Sequence, residues 1–252
     1  MAYSNRYSKD FFTIQIKYAQ KLADKFEQAL EDILFNYTTF SRSFDLIAKP
    51  YDRTNPVWQE YVEGIKQASD LTDWTYNFYI CHKDRDISPN DKTYNGRPLF
   101  GCFYFSVWDN HVVWLYFIKN EKSKYGPLST NRMAVRLKEL KAMFGHIKDN
   151  VDGADTVQGD SWLHNIEAYR RLFPPEYYTK SRAVVATGEF GLLARWGQFF
   201  DKNWKVKAHI AQEFFNRLER LETLEDLHNC FPYPTRQPKC HIKYFYEFYG
   251  ID

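Results

Sequence analysis

The chain has 252 residues, 44% of them hydrophobic and 26% charged, a balance that excludes a disordered or collagen-like protein and leaves room for a substantial core. Lys and Arg number 34 against 32 Asp and Glu, and a formal +2 is too little for the whole surface to grip a polyanion, so no nucleic-acid partner is expected. No apolar run nears the roughly 18 residues a bilayer crossing requires, and the start MAYSNRYSKD lacks a signal-peptide apolar core, so no membrane partner and a cytoplasmic location are expected.

Four cysteines, Cys81, Cys102, Cys230 and Cys240, are few and scattered, which fits free thiols in a reducing compartment. Aromatic residues make up 19% of the chain and are read first as core and rim packing.

In chain order, Ile16, Ala19, Leu22, Ala23, Phe26, Leu30 and Ile33 recur at three and four, predicting one amphipathic helix from about Ile14 to Phe35. Asn55 and Pro56 read as the cap and first position of a second helix, ending near Asp70. Trp74 to His82, rich in aromatic and β-branched residues, predicts a strand, and Lys83 to Pro98 a loop. Leu99–Trp108 and His111–Lys119 predict a hairpin, because Asp109 and Asn110 tolerate the left-handed conformation of a tight turn.

Met133, Leu137, Leu140, Phe144 and Ile147 predict a helix capped by Ser129, Thr130 or Asn131. ADTVQ reads as a short strand ended by Gly159, and Trp162, Leu163, Ile166, Tyr169 and Phe173 as a helix stopped by Pro174 and Pro175. Beyond Tyr177, a strand at Val184–Ala186 and a helix from about Asn203 to Leu221 are expected. HIKYFYEFYGI fits strand and helix equally. The predicted division is a core over 1–180 and a largely helical, aromatic C-terminal addition over 181–252 packed on it.

The turn SKYGPLS raises the chemical question. Between Lys119 and Lys148 stand eight basic residues and two acidic ones, Glu121 and Glu139, so this segment carries +6. A helix start is partially positive and usually attracts Asp or Glu; this one offers Arg132 and no acid, so a bound anion is the expected counter-charge, with Gly126 allowing close approach.

The order of elements, two helices, three strands, basic turn, helix, strand and helix over about Ile14 to Phe173, resembles the GCN5-related N-acetyltransferase superfamily. NIEAYRRLF adds an echo of that family's N-x-x-A helix at Asn165 and Ala168. The turn departs from the family pattern, with Ser123 in the place of Arg or Gln and Leu128 in that of the second small residue.

The resemblance implies a mixed, mainly antiparallel sheet flanked by helices in an α/β (α+β) fold. It implies acetyl-coenzyme A or another acyl-coenzyme A as cofactor, and direct acyl transfer to a small-molecule or peptide amine acceptor. Lys124, Tyr125, Gly126, Ser129, Thr130, Asn131, Arg132 and Asn165 would then bind the cofactor, and backbone N–H groups near Leu115 to Phe117 would polarise the thioester. The position of the family's acid tyrosine holds Leu172, so Tyr169 or Tyr177 would substitute; Glu121 and His111 are candidate bases.

Other constellations give weaker expectations. Ser161 in GDSWLHN, with Asp226 and His228, makes a triad on paper, but an N-cap explains the serine more simply. His228, Cys230, Cys240 and His241 are zinc-type ligands without C-x-x-C spacing, and no metal is expected. Aromatic residues alternate along the strands at 99–119 as in base-stacking surfaces, yet with no RNP-like motif core packing is preferred. The alternative to an enzyme is an interaction module, in which Phe231, Tyr233 and Tyr244 to Tyr249 form an aromatic docking surface for a homodimer or another protein.

Overall fold

The structure is a computed structural model that describes residues 7–44, 53–82, 91–94, 96–109, 111–121, 123–184 and 195–252. Five helices come first: α1 (Lys9–Phe26), α2 (Leu30–Tyr37), α3 (Phe40–Ser43), α4 (Pro56–Gln67) and α5 (Leu71–His82). Strands β1 (Thr93–Tyr94), β2 (Arg97–Phe100), β3 (Phe103–Trp108) and β4 (Val112–Phe117) lead into α6 (Met133–Asn150) and β5 (Thr156–Gln158). Then come α7 (Glu167–Arg170), β6 (Arg182–Ala183), α8 (Ala208–Glu219), β7 (Arg236–Gln237), β8 (Lys239–His241) and α9 (Lys243–Tyr249).

These elements form two compact units, residues 1–86 with 186–232 and residues 87–185 with 233–252. The division differs from the predicted one. The crossing at 185/186 lies near the expected boundary, but the first five helices belong with 186–232, and the chain's last twenty residues return to the sheet unit.

In the helical unit the single predicted helix is two. Glu27 adopts φ 52°, and the N–H groups of Glu27 and Gln28 both return to the carbonyl of Ala23, so the chain turns before α2. Asn55 caps α4 as predicted, its side chain accepting from the Val57 N–H at 2.9 Å.

Trp74 to His82 is not a strand but most of α5. Its buried residues Thr75, Phe78 and Tyr79 fall at helical spacing, and Asp70 caps it by accepting from the Asp73 N–H. Packing overrides the β propensity of the aromatic residues. Phe78 meets Phe44 and Tyr61 at ring distances of 5.1 and 5.3 Å, Tyr79 meets Phe12 at 4.8 Å, and Thr75 bonds the Tyr61 hydroxyl at 2.8 Å. Gly64 lets α4 approach, since a Cβ there would stand 1.9 Å from the Trp74 ring.

The sheet unit holds a six-stranded sheet in the order β1-β2-β3-β4-β5-β8, antiparallel except for the β4/β5 pair. A mixed, mainly antiparallel α/β architecture was expected, and it is observed. The predicted Leu99–Trp108 strand divides at Gly101 (φ 62°), so Leu99 and Phe100 belong to β2, and β3 starts at Phe103. The β3–β4 hairpin turns at Asp109 (φ 50°); Asn110 lies outside the described residues. Of the expected loop, 83–90 lies outside the described residues and the remainder includes the β1–β2 hairpin. Of the predicted strand at Val184–Ala186, Val185 and Ala186 lie outside the described residues, and β6 begins two residues earlier, at Arg182–Ala183.

One face of the sheet, with Phe103, Phe105, Val113, Leu115 and Val157, packs on Leu140, Met143, Phe144 and Ile147 of α6 and on Phe245 and Tyr249 of α9. The C-terminal sequence is both strand and helix: β8 pairs with β5, and α9 stacks Phe245 on Phe144 at 4.6 Å. Phe245 and Tyr249 are therefore core, and the aromatic tail leaves only Phe248 well exposed, at 42%. Phe231, at 2% exposure, is buried as well. No described helix is long and apolar enough to cross a membrane.

Candidate functional site

The connection from β4 to α6 begins at Ile118, passes through Asn120 and Glu121, and ends in a 3₁₀ turn, Thr130–Arg132, that runs into the helix. Ser129 accepts the Arg132 N–H at its carbonyl and donates its own N–H to Gly126, so the turn closes on backbone bonds rather than on a side-chain cap. Arg171 adds a bond from Nη2 to the Leu128 carbonyl at 3.2 Å.

The counter-charge missing from the helix's first turn is supplied by the protein itself. Arg132 Nε donates to Glu121 Oε2 at 2.9 Å, and Arg136 Nη2 reaches the same oxygen at 2.7 Å. Arg136, 1% exposed, also pairs with Glu139 at 3.0 Å, and Glu139 accepts the Cys102 N–H at 3.1 Å. Burial pushes the Glu139 carboxyl up, against the pull of the Cys102 N–H and Arg136. Asn120 donates to the Gly101 carbonyl at 3.2 Å. The cluster thus ties the start of α6 to the β2–β3 turn, and Gly101 is obligatory because a Cβ there would stand 2.0 Å from Glu139.

This arrangement changes the roles expected of two residues. Glu121, a candidate base, accepts from two guanidinium groups, and Arg132, a candidate phosphate ligand, spends two donors on that carboxylate. Thr130, Asn131, Lys124 and Tyr125 remain exposed, and a Cβ on Gly126 would meet open space. Asn165 is engaged inside the fold: its Nδ2 donates to Trp162 and Pro234 carbonyls at 2.8 and 2.7 Å, and its Oδ1 accepts from Arg236 Nε at 2.9 Å.

A second cluster lies where β4 and β5 part. Their parallel pairing covers Val112–Trp114 against Thr156–Gln158, and the next residue of the chain is Gly159. A Cβ on Gly159 would meet Tyr177 Oη at 2.9 Å, the Leu115 carbonyl at 3.5 Å and His164 Nε2 at 3.6 Å. Tyr177 is fully buried and its hydroxyl has no hydrogen-bond partner among the described residues. His164, 4% exposed, bonds Tyr178 Oη through Nδ1 at 3.1 Å.

Burial, with a smaller contribution from Arg170, drives the His164 imidazolium pKa down to about 3. Burial raises all three tyrosines, Tyr169, Tyr177 and Tyr178, so each keeps its proton. Tyr169 closes the cluster against Phe117, with ring centroids 5.6 Å apart.

Two predicted catalytic residues, Tyr169 and Tyr177, thus share one cluster, while Glu121 belongs to the arginine cluster. Sequence reading missed His164, Tyr178 and Arg136, whose positions follow no spacing that marks chemistry. The predicted Trp162–Phe173 helix is a 3₁₀ turn at Trp162–Asn165 followed by α7, with Ser161 capping as expected by accepting from the Leu163 N–H at 3.1 Å. Asp226 and His228 lie in the other unit from Ser161. Among the described residues no group of three or more His, Cys, Asp or Glu is placed to hold a metal.

No family model matches the chain, and neither the curated proteins nor the solved structures yield a match.

Proposed function

We propose that the chain is an acyl-coenzyme A-dependent N-acyltransferase that works by direct transfer to an amine. The observation that carries this reading is the Tyr177 hydroxyl, buried and without a hydrogen-bond partner among the described residues, beside Gly159, the residue that follows the parallel pairing of β4 and β5. An unsatisfied buried hydroxyl costs stability, on the order of 1–3 kcal/mol, and service in a reaction is one reason for a fold to keep such a group. The crossover from β4 through α6 to β5 also follows the element order of the acetyltransferases that the sequence resembles.

In this reading the thioester lies along the freed edge of β4 near Leu115. The amine nitrogen bonds to the carbonyl carbon, the carbon–sulfur bond breaks, and the departing thiolate, held by a hydrogen bond from Tyr177, takes up the proton that the nitrogen releases. With its pKa raised by burial, Tyr177 acts chiefly as a hydrogen-bond donor to the developing thiolate. His164, neutral down to about pH 3, is too weak a base to take a proton from an ammonium, so the acceptor reacts as the free amine. The acyl group enters where Phe117 and Tyr169 now touch.

Isothermal titration with acetyl-coenzyme A tests the reading. Heat at micromolar to millimolar ligand, competed by free coenzyme A, is expected; absence of both at millimolar concentration overturns it.

A further inference from the structure

The second face of the sheet differs from the face packed on α6. In an antiparallel sheet with one face buried, the other ordinarily carries polar side chains toward water. Here the registers Tyr94↔Arg97, Leu99↔Tyr104 and Tyr104↔Tyr116 place tyrosines on three of four neighbouring strands, and Trp108 and Trp114 follow on β3 and β4 of the same face. The rings are organised against one another. Tyr104 and Tyr116 lie 4.6 Å apart and 8° from parallel, Tyr94 meets Tyr104 at 5.1 Å, and Trp108 meets Trp114 at 5.9 Å. Ser106 orients two of them, accepting from Trp108 Nε1 at 2.8 Å and bonding the Tyr116 hydroxyl at 3.2 Å. None of the five rings is buried, and Trp108 is 56% exposed.

Charge selects the occupant. Arg97 on β2 lies on this face between the strands of Tyr94 and Tyr104, Lys239 and His241 on β8 lie on it beyond β5, and all three are exposed. Among the described strand residues of the face there is no Asp or Glu. The near-neutral total of the chain conceals an uneven distribution: by sequence the sheet unit holds 17 Lys and Arg against 12 Asp and Glu, a formal +5, and the helical unit 17 against 20. Rings that are not buried, with basic side chains among them and to one side and no carboxylate among the described strand residues of the face, suit a ligand that is flat and anionic at regular intervals.

We propose that this face binds single-stranded nucleic acid, with bases stacking on the Tyr and Trp rings and phosphates reaching Arg97 and Lys239. The proposal reverses the expectation drawn from the whole-chain charge. It is independent of acyl transfer, because it uses none of the residues around Gly159.

Fluorescence anisotropy with a labelled oligothymidylate of about twelve nucleotides, within the ~4–16 nucleotides a stacking site covers, provides the test. The full chain is expected to bind it, to prefer it over a duplex of the same length, and to show quenched tryptophan emission on binding. Trp108→Ala, at an exposed position, weakens binding roughly fivefold to a hundredfold, the range for one lost stacking partner. Lys239→Ala lowers the salt dependence by about one phosphate contact. Tyr177→Phe leaves binding unchanged, which separates this proposal from the acyltransferase reading. No binding at about 100 µM protein overturns the proposal. So does equal affinity for duplex that Trp108→Ala does not alter, or binding of neutral oligosaccharides in place of the oligonucleotide.

Discussion

Arg136 and Glu121 form the ion pair on which the start of α6 rests: Nη2 donates to Oε2 at 2.7 Å, with Arg136 1% and Glu121 12% exposed at the side chain. Removing one partner of such a pair strands a buried charge, whereas replacing the set with apolar groups is far less costly. Glu121→Leu and Arg136→Leu are each expected to lower stability, by up to about 3–5 kcal/mol because Glu139 still faces Arg136 in the first, and the double variant by clearly less than the sum of the singles. Urea denaturation of the four proteins in a double-mutant cycle checks this.

Gly101 is expected to tolerate no side chain. It holds φ 62° and faces Glu139 at 2.0 Å from the position of a Cβ, so alanine brings both backbone strain and a displaced carboxylate. Gly101→Ala should cost at least about 1–3 kcal/mol. Gly96→Ala, also at positive φ but with open space around it, isolates the backbone part, and the difference between their thermal midpoints measures the clash.

His164 should make stability fall in mild acid. Its folded pKa, about 3, lies below the ordinary 6.5, so the unfolded chain takes up a proton that the native state refuses. The stability it contributes is present above about pH 6.5 and is lost as pH falls from there toward 3, at up to about 1.4 kcal/mol per pH unit. His164→Gln should flatten that slope in urea titrations between pH 6.5 and 4.5; an unchanged slope refutes the assignment.

Tyr177→Phe removes a hydroxyl that has no partner among the described residues and leaves the ring packing intact. The variant is expected to be more stable by about 1 kcal/mol, while an acyl transfer assay shows kcat reduced and coenzyme A affinity preserved. A variant that loses stability places an unseen partner on the hydroxyl.

Deleting residues 239–252 removes β8 and α9, and with them Phe245, Tyr249 and the bond from Tyr249 Oη to the Leu172 carbonyl at 2.7 Å. The sheet unit should then fail to fold cooperatively, and the near-UV spectrum should lose the tyrosine and tryptophan signal of that unit while keeping that of the helical one. A truncated chain that stays folded and monomeric would instead restore the tail to the role of a docking surface.

Local chemistry in the sequence determined a definite set of features. Asn55 and Ser161 cap because a side-chain oxygen can reach an N–H two residues on, the α6 seam repeats at three and four, and Asp109 supplies the left-handed residue of the β3–β4 hairpin. Each depends on neighbours within a few positions, so each was legible. Tertiary structure decided the rest. Trp74–His82 became helical because Thr75, Phe78 and Tyr79 met Tyr61, Phe44 and Phe12, partners separated from them by 14 or more residues. Glu121 took the place of an anion at Arg132 from eleven residues away, and Gly159 found Tyr177 and His164 only once β4 and β5 had paired. Charge and hydrogen-bond partners act through space, and the spacing of residues along a chain does not say which of them the fold will bring within 3 Å.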